Sequence, residues 1–454
     1  MRFFRVTAVA LGVCVGACAG CDKNTALDGG SGGTASGSGG RASGGESGRA
    51  GDGVSDVGGS NAGSTSAGGT TAGGPGSGGG PTGGSASGRS GAGGGAGAST
   101  PAAFVHPGLL FQRADLERMR AMVKAGTEPY LAGWNRLRTD ARASLDYVPT
   151  AFAVVTRTSG GTGEGNAELR GDAARAFLHA VQWFVSENEA HAAKSAEILG
   201  AWASSLTAIE GDADRFLAAG LYGYLLANAG EILRHTYPGW EPDEQARFER
   251  MLLDIFYPLS HEFLETHAGS RVDHHFANWD AAQLVNIASI GVFADDRTIY
   301  EEAIDYFYDG PGNGNIMRAV FDGETGQLQE SGRDQAHAQL GIGLLASLCE
   351  TAWNQGDDLY STDGNRLLKG FEYTASYLLG NEVPFRTYMD RSRTHTEISP
   401  VNREQRRPIY EMVLNHYAGR LGLDAPFTRE LAAQTRPEGF HGDHPGFGTI
   451  LHTR

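Results

Sequence analysis

The sequence predicts an all-α protein made of helical hairpins, and three observations support this fold class. Over residues 101–454, apolar residues recur at intervals of three and four, as in Phe177, Val181 and Phe184, which is the spacing of an amphipathic helix. The breaks between such segments are short and rich in Gly, Pro and Asp, as expected for turns between helices. No convincing run of alternating apolar and polar residues predicts a strand, although short strands fit around 383–400.

Eleven segments follow the helical period. They are 114–124, 129–146, 167–186, 190–209, 214–235, 241–266, 278–292, 298–308, 334–355, 365–379 and 403–421. Short links between so many helices favour antiparallel hairpins packed on one another. A solenoid and a closed helical toroid both fit, and the lack of a visible repeat of fixed period weighs against a regular TPR or HEAT array.

The first hundred residues have a different composition. Residues 29–100 contain 31 of the 68 glycines of the chain, together with Ser, Ala and Thr and hardly any large apolar residue. Such a segment cannot bury enough surface to offset the entropy lost on ordering. We therefore expect 22–100 to be a disordered Gly/Ser-rich tether and 101–454 to be the folded domain.

The N-terminus has the pattern of an export signal. Arg2 and Arg5 precede an apolar run that is too short for a confident membrane span, and the run ends in Cys18-Ala19-Gly20-Cys21, which resembles a bacterial lipobox with Cys18 in place of the usual Leu. We expect 1–21 to be a lipoprotein-type signal and Cys21 to be lipidated, which predicts an exported cell-envelope lipoprotein. An ordinary signal peptide cleaved nearby is the alternative.

The charge of the chain excludes one class of function. The formal net charge is −16, and since 1–100 carry six basic and five acidic residues, the remaining residues carry −17. A strongly acidic domain argues against nucleic-acid binding, which depends on a basic surface. We expect no nucleic-acid partner.

Two polar clusters could carry chemistry. In 273–280 two histidines, His274 and His275, stand before Asn278 and Trp279 at the start of a helix, where Asn278 could also be a simple N-cap. In 329–341, Arg333 and His337 are neighbours one helical turn apart, beside Glu330, Asp334 and Gln335. This second cluster could be a pocket wall or a buried ion pair between helices.

A third segment, 384–407, has a local excess of positive charge, with six arginines, His395 and Tyr388 against three acidic residues. It is either a solvated loop or a site where guanidinium groups, such as those of Arg391 and Arg393, bind carboxylates. Neither 273–275 nor 441–444 has the ligand spacing of a familiar zinc site. We expect no metal and no cofactor.

The order of several motifs resembles the alginate lyase-like family of polysaccharide lyases. The resemblance covers nearly all of 101–454. It is carried by His106–Leu110, Asn278-Trp279, Glu330–His337, Ala352–Tyr360, Asn365–Tyr373 and Arg407–Glu411. It implies an (α/α) toroid, an incomplete barrel of helical hairpins, with a cleft for an acidic polysaccharide such as alginate or glucuronan.

The resemblance also implies β-elimination at a uronic acid. This reaction needs a group that neutralises the substrate carboxylate, a base that removes the C5 proton and an acid that protonates the departing O4. By resemblance, Asn278 serves the first task and Arg333 adds positive charge. His275 or His337 is the expected base and Tyr388 the candidate acid. We expect substrate contacts from His274, Trp279, Glu330, Gln335, Arg391 and Arg393.

Two other functions fit the same residues. A glycoside hydrolase on a helical toroid would need two carboxylates beside the bond, for which Glu330, Asp334 and Asp280 are available. A non-catalytic surface protein could bind sugar through aromatic residues such as Trp279 and Trp353.

Overall fold

The computed structural model describes residues 103–391 and 393–454, and they fold mainly into helices. The helices are α1 (Arg113–Lys124), α2 (Tyr130–Arg138), α3 (Asn166–Ser186), α4 (Glu189–Ser205), α5 (Asp214–Thr236), α6 (Pro242–Met251), α7 (Tyr257–Thr266), α8 (Ala277–Phe293), α9 (Arg297–Asp309), α10 (Ile316–Ala319), α11 (Gln335–Asn354), α12 (Thr362–Leu378), α13 (Tyr410–Leu414), α14 (Pro426–Thr435) and α15 (Gly448–Leu451). The predicted all-α class is confirmed. The predicted signal, the lipidation at Cys21 and the tether over 22–100 lie outside the described residues and stay predictions.

Four helices, α3, α5, α8 and α11, form an inner layer and pack side by side in that order. They are buried around most of their circumference. Small residues allow the close approach: a Cβ added at Gly220 of α5 would lie 2.8 Å from the backbone carbon of Ala282 in α8. The outer helices pack against this layer, α4 on α3, α7 and α9 on α8, and α12 on α11.

The inner helices are parallel. Gly220 and Gly230 of α5 face Ala282 and Phe293 of α8 in the same order along both helices. At the next interface, Gly341 in the second turn of α11 faces Asn278 at the start of α8. The N-termini of the inner helices therefore lie at one end of the toroid, where their dipoles together favour negative charge.

Short strands flank this layer. β1 (Val154–Arg157) and β2 (Ala208–Gly211) form a parallel pair, and β3 (Tyr388–Met389) and β4 (Thr394–His395) form an antiparallel pair. The second pair lies where short strands were expected. The first pair was missed, because each strand has only four residues and its partner is about fifty residues away in the sequence.

Three predicted helix bounds were wrong. The segment 129–146 is α-helical only to Arg138 and then has one 3₁₀ turn, Ala141–Ala143. The helix predicted over 190–209 stops at Ser205, because 208–211 pair as a strand. The segment 403–421 becomes helical only at Tyr410, after Pro408, which lacks a backbone donor and disfavours helix before it.

The longest inner helix, α5, is long and apolar enough to span a membrane by composition alone, but its apolar window is completely buried. It is therefore the central helix of the core, packed between α3 and α8.

Candidate active site

The polar clusters of the sequence meet at the end of the toroid where the inner helices begin. His274 and His275 precede α8, and Glu330–Asp334 form the turn that leads into α11. The β3–β4 hairpin lies against that turn, because the Gly332 N–H donates to the Tyr388 hydroxyl at 3.0 Å. The structure thus brings together residues from three distant segments of the chain.

Two arginines share one aromatic ring in this cluster. The guanidinium carbons of Arg333 and Arg391 lie 4.1 Å and 5.4 Å from the centre of the Phe276 ring. Arg391 also donates to His274 Nε2 at 2.8 Å, so His274 is neutral in this contact. Two guanidinium groups on one ring form a local positive site suited to a carboxylate.

The buried carboxylate of Glu330 holds the Arg333 side chain in place. Arg333 NH1 donates to Glu330 Oε2 at 2.9 Å, and both oxygens of Glu330 accept the Asn278 side-chain amide, at 2.9 Å and 2.8 Å. The Asn278 backbone N–H donates to Glu330 as well. Asn278 and Glu330 are only 1% and 2% exposed, so this network lies beneath the surface.

His337 is a surface imidazole with an oriented ring. Its Nδ1 lies 2.7 Å from Asp334 Oδ2, and Asp334 also caps α11 by accepting the His337 backbone N–H. The side chain is 38% exposed. Burial alone would raise the pKa of Asp334, but its bonds to His337 and the charge of Arg333 lower it to about 2. A permanent carboxylate therefore fixes the ring, which leaves Nε2 for proton transfer.

His275 lies in a different environment. It packs against Trp279 with ring centres 4.4 Å apart and against Phe263 at 5.1 Å, and it is 6% exposed. Burial, followed by the neighbouring His274 and Arg391, lowers its pKa to about 4. His275 is therefore neutral and mostly enclosed.

Tyr388 stacks on His395, whose Nε2 lies 2.6 Å from Asp390 Oδ2. Since the Tyr388 hydroxyl oxygen accepts the Gly332 N–H, its own proton points elsewhere. Burial raises the pKa of Tyr388 above its usual value. The phenol thus keeps its proton at neutral pH and can act as an acid.

The other predicted contact residues differ in how far they are buried. Gln335 is 1% exposed and donates to the Ser331 and Ser399 carbonyls, so Gln335, like Asn278 and Glu330, is buried. Trp279 is partly buried against Phe263, and Arg393 is exposed on the hairpin.

A second basic cluster lies at the same end. Its segments 384–407 and 441–444 were considered separately in the sequence, and their meeting was not predicted. Arg407 donates to Asp443 Oδ2 at 2.6 Å and lies 3.2 Å from His441, and Arg170 in α3 approaches Gly442. Arg157 donates to the Tyr222 hydroxyl at 2.8 Å. Arg170 lies at the start of α3, whereas Arg157 and Arg407 belong to other segments that only the tertiary structure brings to this end.

Residues 156–385, half of the sequence, match the family described as alginate lyase. The chain belongs to the alginate lyase family. It is therefore a polysaccharide lyase, as its motifs predicted. A comparison with functionally curated proteins gives no match.

Solved structures support the fold of this alginate lyase family member. An alginate lyase from Bacteroides ovatus is similar with a TM-score of 0.56 and 11% identity, over 77% of this chain and 100% of that one. Alginate lyase A1-III from Sphingomonas species A1 gives a TM-score of 0.54 and 14% identity, over 75% and 95%. A tyrosine-to-phenylalanine variant of A1-III complexed with a tetrasaccharide gives 0.53 and 14%, over 75% and 94%. At these identities the likeness establishes the shared toroid fold.

Proposed function

We propose that this lyase cleaves a polyuronate, a polysaccharide of the alginate or glucuronan type, by β-elimination at the end of the toroid where the inner helices begin. The pair of guanidinium groups on Phe276, beside an exposed histidine held by a carboxylate, is the observation that carries the proposal. The bound tetrasaccharide in the structure of the A1-III variant supports a saccharide chain as the ligand.

Arg333 and Arg391 are the proposed partners of the uronate carboxylate. As the C5 proton leaves, negative charge develops on this carboxylate, and fixed guanidinium groups stabilise it without reorganisation. Glu330 holds Arg333 in place, and His274 contacts Arg391. Both cations are thus positioned before substrate arrives.

His337 is the proposed base and Tyr388 the proposed acid. His337 is partly exposed and oriented by Asp334, whereas His275 is enclosed by aromatic rings. Tyr388 keeps its phenolic proton and can deliver it to the departing O4. The assignment leaves His275 with a packing role under His274.

Asn278 is proposed as a positioning residue. Its side-chain nitrogen is used by the Glu330 carboxylate, so it acts on the substrate through Glu330 and Arg333. Replacing Asn278 by Ala should then reduce turnover by displacing Arg333. The same loss of Asn278 in a variant lacking Arg333 should have little further effect, because the two act as one unit.

The two alternative functions have weaker support in the geometry. Asp280 and Glu330 are 0% and 2% exposed, and Asp334 is bonded to His337, so the carboxylates needed for hydrolysis are buried or engaged. For the binding protein, Trp279 lies at the start of α8 and Trp353 near the end of α11. Parallel helices place these two indoles at opposite ends, which does not form one sugar platform.

The deciding experiment is incubation of the full chain with alginate, glucuronan and neutral glucan, followed in the near-ultraviolet and by reducing-end assay. The proposal expects absorbance from unsaturated uronate ends on at least one polyuronate. New reducing ends without that absorbance would indicate hydrolysis, and binding without either signal would indicate a non-catalytic protein. Both outcomes contradict the proposal.

A further inference from the structure

A cluster of two histidines and a glutamate lies at the far end of the toroid. Glu231 and His235 are one turn apart near the C-terminus of α5, and His106 lies in the segment that enters the domain before α1. The 1.5 Å rise per residue of α5 puts this cluster roughly 30 Å from the start of the helix. It is therefore separate from the proposed active site.

The ligand atoms of the three residues lie close together. His106 Nδ1 lies 2.7 Å from Glu231 Oε1, and His235 Nε2 lies 3.6 Å from Glu231 Oε2. All the ligand atoms lie within 4.8 Å of one another. Four ligands at zinc-like distances of about 2.1 Å are spaced roughly 3.4 Å apart in a tetrahedron. The rings of His106 and His235 stack with their centres 4.5 Å apart, so they must turn toward the carboxylate to reach a common ion.

Two of these atoms form a long ion pair with each other and have no hydrogen bond. Within residues 103–391 and 393–454, neither Glu231 Oε2 nor His235 Nε2 has a hydrogen-bond partner, both atoms are buried, and 3.6 Å separates them. Glu231 as a residue is 1% exposed. A buried carboxylate oxygen and a buried imidazole nitrogen without hydrogen bonds are destabilising, and a cation between them would satisfy both.

His106 has the second partner that metal-binding histidines usually have. Its Nε2 lies 3.1 Å from Asp295 Oδ1, just after α8. A carboxylate that accepts the Nε2–H leaves the Nδ1 lone pair directed at the cluster. That lone pair faces the Glu231 carboxylate, and two acceptors at 2.7 Å require a proton or a metal ion between them.

We propose that His106, Glu231 and His235 bind a divalent transition-metal ion, best matched by zinc, with water as the fourth ligand. Two imidazoles and one carboxylate are donors that zinc favours. With Asp295 behind His106, the two carboxylates balance the charge of a divalent ion. The side chains of His106 and His235 are 16% and 28% exposed, which leaves a path for entry.

The ion would tie the entry segment to the core. The Gly108 N–H donates to Glu231 Oε1 at 3.0 Å and the Leu110 N–H to Asn228 at 3.1 Å, so this segment already lies along α5. A metal ligand at His106 would strengthen the attachment. The competitor for the site is a proton: burial lowers the pKa of His106, but Glu231 and Asp295 outweigh burial and raise it.

The test is a calorimetric titration of the metal-free full chain with Zn²⁺. We expect one saturable site whose affinity falls at least tenfold in His235→Asn and roughly 10–100-fold in Asp295→Asn. His261→Asn is the matched control, since His261 also lies beside a glutamate, Glu302, at 2.8 Å but on the outside of the toroid. It should bind Zn²⁺ as the unmodified chain does.

Three outcomes would overturn the proposal. They are no saturable Zn²⁺ binding, equal binding by His235→Asn, and loss of binding in His441→Asn instead. Since His235 is partly exposed, its variant should fold, and a circular-dichroism melt checks this. The titration measures no activity, so its result is independent of the proposed lyase function.

Discussion

At the scale of single residues, the role of a histidine is decided by what surrounds its ring. His275 and His337 are both candidate bases by sequence, but His275 is 6% exposed with its pKa lowered to about 4, whereas His337 is open to solvent and bonded to Asp334. Imidazole transfers protons near neutrality only when its lone pair can reach the substrate. This difference is the reason for proposing His337 as the base.

Replacing His337 by Gln should lower kcat on a polyuronate by roughly 10²–10⁴-fold, since general-base catalysis contributes about that much. The free energy of unfolding should change little, because the ring lies at the surface. The rate of increase in near-ultraviolet absorbance measures the effect, and His261→Gln is the control with unchanged activity. Activity within twofold of the unmodified enzyme would remove His337 from the mechanism.

Asp334 provides a prediction about pH. Its pKa in the folded protein is lowered to about 2 from an ordinary value of 3.8, so its contribution to stability is present above pH 3.8 and is lost as pH falls towards 2. Denaturant unfolding of the enzyme and of Asp334→Asn should differ most at about pH 5 and converge only below about pH 2. A difference that grows on acidification would contradict the lowered pKa.

At the scale of helices, close packing of the inner layer aligns the N-termini that form the site. Gly220 allows α5 to touch α8, and its added Cβ would lie 2.8–2.9 Å from Ala282 atoms, including backbone atoms. Gly200 in α4 is different, because an added Cβ there meets no atom within 4 Å among the described residues. Gly220 is therefore a crowded test position and Gly200 its uncrowded control for the same substitution.

Gly220→Ala should destabilise the protein by about 1–3 kcal/mol, because the helices must separate. Gly200→Ala should stabilise it by about 1 kcal/mol through helix propensity. Urea unfolding measures both values. Equal changes in the free energy of unfolding for the two substitutions would mean that the α5–α8 contact accommodates the added methyl group without loss of stability.

At the scale of the whole molecule, charge is divided between surfaces. The folded part carries −17 by sequence, and an open groove of about 620 Å³ on the outer side is lined by Glu265, Glu301, Glu302 and Asp305. The basic groups Arg157, Arg170, Arg333, Arg391 and Arg407 lie instead at or near the starts of the inner helices. An acidic protein can thus present a local positive site to an acidic polymer.

The affinity for a polyuronate should therefore depend on salt. Raising NaCl from about 0.05 M to 0.5 M should raise KM several-fold, because salt screens the attraction between exposed guanidinium groups and substrate carboxylates. The effect on kcat should be smaller. Arg391→Ala should raise KM at low salt and flatten this dependence. A KM independent of salt would argue against a guanidinium clamp.

Much of the fold could be predicted because helical periodicity is local. Segments such as 167–186 and 214–235 were recognisable from their own spacing, and the structure has Asn166–Ser186 and Asp214–Thr236. The β1–β2 pair was not recognisable, since it depends on two short segments far apart in sequence. The order of motifs was enough to predict the family and the toroid.

By itself, the sequence determined the helical class, the family, the uneven glycine and charge distributions and the residue types available for elimination chemistry. Only the tertiary structure decided which of these chemically suitable residues reach the surface. It placed Asn278 and Glu330 below Arg333 and joined His106 to Glu231 across 125 positions of sequence. Periodicity is a property of neighbouring residues, whereas exposure and contact depend on how distant helices pack.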